Sequence, residues 1–91
     1  MKKQEIDKYV DRLLSGEELV LSSANMAAFK AMDKKDLIFL HHSLGREIRN
    51  VFQLWKVKHK PKMVNGIDES PDHPDQISMR IIEGAWKRLQ D

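Results

Sequence analysis

Cysteine is absent from the 91 residues. That excludes disulfides, thiolate metal sites and a cysteine nucleophile, and it leaves the redox compartment unmarked. No apolar run approaches the roughly 20 residues of a membrane-spanning helix. No secretory leader pattern is visible either, so the cytoplasm is the expected setting. Glycine and proline are scarce, at four and three residues. No glycine-rich loop exists to cradle a phosphate, and no H-x-x-x-H or H-E-x-x-H pairs the histidines for a metal. No nucleophile elbow occurs. Repeats and low-complexity tracts are also missing.

What remains is ordinary for a soluble globular chain: 41% hydrophobic and 33% charged residues. Residues 1–91 are read as one small domain. A domain of this size has marginal stability. Without disulfides, self-association into a homo-oligomer is an expected source of extra burial.

The net charge of +2 is unevenly spread. Residues 1–45 carry seven Lys/Arg and seven Asp/Glu, which cancel. Residues 46–67 carry Arg46, Arg49, Lys56, Lys58, Lys60 and Lys62 against Glu47 alone, a net of +5. Residues 68–91 have a net of −3. The basic island favours an anionic partner. A solvated lysine-rich loop is the plainer alternative.

The apolar spacing predicts an all-α bundle of four or five helices. Ile6, Val10, Leu13 and Leu14 define a first helix from about Lys3 to Leu14, stopped by Ser15-Gly16. Glu17–Leu21 reads as a short turn of helix. Ser22 or Ser23 can cap a second helix with Met26, Ala27, Phe29 and Ala31. Asp33, with Asp36 three residues on, can cap a third that runs unbroken to about Trp55. Residues 56–72 form a polar connection punctuated by Asn65-Gly66 and Ser70-Pro71. Asp72 or His73 can cap a last helix with Pro74 in its first turn. Its apolar stripe is Ile77, Ile81, Ala85 and Leu89, with Ile82 and Trp86 beside it.

At 100° per residue the third helix sorts into two faces. Leu37, Leu40, Leu44, Ile48, Val51 and Trp55 form the expected core stripe. Truncating a core Trp55 to alanine would cost about 3–5 kcal/mol. Opposite lie His42, Arg46, Arg49 and Gln53, with Asn50 to one side. The column His42, Arg46, Arg49 stacks like charges, a mild cost that an acceptor would relieve. Arginine grips a phosphate or carboxylate by two parallel hydrogen bonds. The acceptor is therefore either an external anion or an internal partner, Asp72 or Asp75. Gly45 and Gly84 sit inside helices and suggest close approach of another backbone or of a flat ligand.

The run HHSLGREIRNVFQLW (residues 41–55), followed by HPDQISMRII (residues 73–82), resembles a small family of uncharacterised bacterial and phage domains. The matching positions are His42, Gly45, Arg46, Ile48, Arg49, Asn50, Leu54 and Trp55, then His73, Pro74, Asp75, Ser78, Ile81 and Ile82, with Trp86 after them. The resemblance implies a shared helical domain and brings no activity with it. It also implies that His42, Arg46, Arg49, Asn50, His73, Asp75 and Ser78 act as a group. Such a group is either a buried hydrogen-bond network or a binding site.

The functional expectation is a non-catalytic binding protein without cofactor or metal. In the leading reading those seven residues capture an anionic small molecule, a nucleotide or cyclic nucleotide, as a sensor or as a phage protein that sequesters an immune signal. In the alternative the same face docks on a protein partner, as a bacterial or phage inhibitor or adaptor. Nucleic acid comes third, because the acidic last segment opposes backbone binding. Membrane binding is not expected.

Overall fold

The computed structural model describes residues 2–15, 23–56, 63–68 and 73–90. The architecture is all-α, with four α-helices, two 3-10 segments and one tiny hairpin among those residues. The expected turn at Glu17–Leu21, the caps at Ser22 and Asp72, and Lys58, Lys60 and Lys62 lie outside them.

The last helix, α4 (Pro74–Gln90), is the central element. α1 (Lys3–Ser15), α2 (Ser23–Lys30) and α3 (Leu44–Val51) all pack against it. Both apolar rows of α4 are used: Ile77, Ile81, Ile82 and Ala85 are fully buried. They meet Ile6, Val10 and Leu13 of α1 and Ile48 of α3 in one core. His73 starts α4 as expected, because the Asp75 backbone N–H donates to its Nδ1 at 3.1 Å. Pro74 then occupies the first helical position, where its missing N–H costs nothing. Trp86 donates its indole N–H to the Met32 carbonyl at 2.9 Å, and Gln90 donates to the Lys30 carbonyl at 2.9 Å, tying α4 to the end of α2. Arg88 and Asp11 pair across α1 and α4. The two mid-helix glycines mark close approaches. A Cβ on Gly84 would stand 3.2 Å from a Val10 methyl, and one on Gly45 would stand 3.3 Å from the Leu40 carbonyl oxygen.

The expected unbroken helix from Asp33 to Trp55 is three pieces. A 3-10 segment covers Lys34–Leu40, α3 covers Leu44–Val51, and a single 3-10 turn covers Leu54–Lys56. Asp33 stands at the start in an extended conformation, but its carboxylate makes no capping bond. The first piece is explained by the run Leu37-Ile38-Phe39-Leu40. In a 3-10 helix residues three apart eclipse, so Leu37 and Leu40 share one side. Leu37 is buried and Leu40 half-buried. The second break is at Gln53, whose φ of 52° ends the helical path. It turns the last residues so that Leu54 is fully buried while Trp55 is 55% exposed. Trp55 is therefore not a core residue. A wheel extended across Gln53 places it on the wrong side.

The polar connection holds a hairpin that the sequence reading lacked. β1 (Met63–Val64) pairs antiparallel with β2 (Ile67–Asp68). Asn65 and Gly66 link them with φ of 53° and 80°, the positive angles that a two-residue Asn-Gly turn requires.

Candidate functional site

Breaking the long helix reorganises its polar residues. Arg49 leaves the outer face and turns toward α4, with its side chain 16% exposed. One terminal nitrogen donates to Ser78 Oγ at 3.1 Å and the other to the His41 carbonyl at 3.3 Å. Its Nε lies 3.6 Å from Asp75 Oδ1. Ser78, fully buried in α4, donates its hydroxyl proton to the Asp75 carbonyl at 2.8 Å. A buried serine thus bridges the guanidinium and the helix backbone.

Two imidazoles flank the carboxylate. His41 Nε2 is 3.9 Å and His73 Nδ1 is 3.8 Å from Asp75 Oδ2. The His73 Nδ1 lone pair already accepts the Asp75 N–H, so its approach to the carboxylate is proximity rather than a hydrogen bond. No buried side-chain N or O among the described residues lacks a partner.

Of the seven sequence-chosen residues, Arg49, His73, Asp75 and Ser78 come together. His42, Arg46 and Asn50 do not join them: all three are exposed. The imidazole that reaches the cluster is His41, and His42 lies against it in a T-shaped arrangement with centroids 4.9 Å apart. Arg46 and Asn50 make no side-chain hydrogen bond or ion pair among the described residues. The column His42, Arg46, Arg49 therefore does not exist as a single face. The internal partner weighed for the arginines is found for Arg49, and it is Asp75.

The cluster's chemistry is that of a brace between α3 and the start of α4. Ser78 belongs to a cluster with two imidazoles, yet its hydroxyl spends its proton on the Asp75 carbonyl and its lone pair on Arg49. No base is placed on it. Among the described residues no three His, Asp or Glu side chains are grouped to hold a metal.

Two features escaped the sequence reading. The first is exposed apolar surface: Phe39 is 76% and Ile38 60% exposed. Its signal was the unbroken run LIFL, more apolar residues than one face can take. The second is a cleft of about 350 Å³ between α2, the first 3-10 segment and α3. None of the seven residues lines it.

A family model described as a domain of unknown function (DUF6794) matches residues 18–89. No curated protein and no solved structure matches the chain. No described helix is long and apolar enough to cross a membrane.

Proposed function

For a chain that belongs to the DUF6794 family of domains of unknown function, we propose a non-catalytic role as a protein-docking module, an inhibitor or adaptor in a bacterial or phage setting. The observation that carries it is the outward Ile38-Phe39 pair on the first 3-10 segment. Adjacent large apolar side chains at such exposure are characteristic of contact surfaces. Beyond Phe39 the chain carries His42 and Arg46, both exposed. An apolar centre with an arginine at its margin is a common composition for a protein contact. The cytoplasm is the proposed setting, and a second copy of the chain is one partner the face could take.

The test is site-specific photo-crosslinking in cells that make the protein. A photoreactive phenylalanine analogue at position 39 should give one discrete protein adduct. The same analogue at Lys8, on the exposed side of α1, should not. Identical adduct patterns at both positions, or none at either, would defeat the docking reading.

A second reading keeps the anionic small molecule, a nucleotide or cyclic nucleotide. It is favoured by Arg46, an exposed guanidinium with no internal partner among the described residues. His42 and Asn50 would assist it, while Arg49 stays with Asp75. Thermal melts against a nucleotide panel should then raise the midpoint, and Arg46→Ala should remove the rise. Retention on DNA or RNA that collapses with salt would instead indicate nucleic-acid binding.

A further inference from the structure

The cleft beside the docking face has a chemistry of its own. Its walls are Phe29, Met32, Leu40 and Leu44, with Ser43 and Glu47 among the polar groups at its edge. At about 350 Å³ it falls at the small end of the range typical of small-molecule sites, which pair apolar walls with a few placed polar groups. Glu47 is exposed, and its carboxylate has no hydrogen bond or ion pair among the described residues.

We infer that this cleft binds a small organic amine, a primary ammonium carried on an aromatic or branched aliphatic body, with the body between Phe29 and Leu40 and the ammonium on Glu47. The apolar body gains by leaving water against the four hydrophobic walls. The ammonium donates charge-assisted hydrogen bonds to a carboxylate that no group among the described residues pairs with. Position along α3 matters. The start of the helix at Ser43 carries partial positive charge, which opposes a cation there. Glu47 stands in the first turn of α3, and its full negative charge outweighs that partial positive one, so the ammonium belongs on its carboxylate and not at the Ser43 backbone end. Ser43 Oγ is turned toward the Leu40 carbonyl at 3.5 Å and is not needed for the ligand. Glu47 also sets the sign of the selectivity. An anionic ligand with the same body would be repelled, so this site is separate from any anion held by Arg46. The inference does not depend on the docking reading.

The experiment uses the full chain labelled with ¹⁵N and three probes that share one ring: 2-phenylethylamine, 2-phenylethanol and 3-phenylpropionate. Titration with the amine should give saturable amide shifts confined to residues 25–32 and 40–47. The alcohol should bind at least tenfold more weakly and the carboxylate should not saturate. Glu47→Gln should weaken the amine at least tenfold while leaving the unliganded spectrum folded. Ala28→Trp, an exposed position on the cleft wall, should block the amine and the alcohol by filling the space. Equal affinity for the three probes would overturn the inference, as would shifts centred elsewhere. So would full amine affinity in Glu47→Gln or in a folded Ala28→Trp.

Discussion

The α1–α4 pair and the stretch from Lys34 to Lys56 are built from similar amounts of apolar sequence and end differently. In α1 and α4 the large side chains recur every three or four residues. Ile6, Val10 and Leu13 meet Ile77, Ile81 and Ala85, and all six are buried. In the middle stretch apolar residues come four in a row from Leu37 to Leu40 and later as the adjacent pairs Val51-Phe52 and Leu54-Trp55. No single helix can bury them all, so the chain breaks twice and leaves Ile38, Phe39 and Trp55 outside. Matched periodicity gives a core. Surplus beyond one face gives surface that is available for contact.

The largest expected effect breaks the first region. Ile81→Ala, at a fully buried position on α4, should lose about 2–5 kcal/mol in urea unfolding through lost burial and a cavity. Phe39→Ala removes more carbon, but its exposure predicts a change within about 0.5 kcal/mol. Similar losses in the two variants would erase the contrast.

The next effect separates the two arginines. Arg49→Met strips Ser78 and the His41 carbonyl of a donor and leaves Asp75 without its guanidinium. A loss of about 1–3 kcal/mol is expected. Arg46→Ala should stay within about 0.5 kcal/mol. Equal effects would mean that Arg49 is no brace.

The tryptophans come third. Trp86→Phe should cost about 1–2 kcal/mol, because the Met32 carbonyl loses its indole donor. Trp55→Ala should cost less than about 1 kcal/mol rather than the core-residue penalty. The smallest contrast is between the glycines. Gly84→Ala trades up to about 1 kcal/mol of helix propensity against one Val10 methyl and should be near neutral. Gly45→Ala pushes on the Leu40 carbonyl and the Arg49 guanidinium. It should be net destabilising, visible as a lower thermal midpoint than that of Gly84→Ala.

The legible parts of the fold were those where local pattern and final packing agree. α1 appears in the sequence with its ends within a residue, and His73-Pro74 marks the start of α4. The breaks at His41–Ser43 and Gln53 were hidden because no proline marks either one, and Gln53 is not a residue type that announces a positive φ. Once those breaks are missed, every inference from a continuous wheel drifts. Trp55 was placed inward and Arg49 outward for that one reason. The grouping of Arg49 with His73, Asp75 and Ser78 came instead from the resemblance between the two sequence blocks, which carries no assumption about helix continuity. The cleft was not legible, because it is made by three elements whose mutual placement no local pattern encodes.

The opposite surroundings of Trp55 and Trp86 give the molecule two built-in fluorophores. Iodide or acrylamide in the buffer should quench the outer indole at once. The inner one, half-buried and anchored to Met32, should keep a bluer emission until the helices separate. A single emission spectrum therefore carries both a local signal from the second 3-10 turn and a global one from the helical core, with no dye attached.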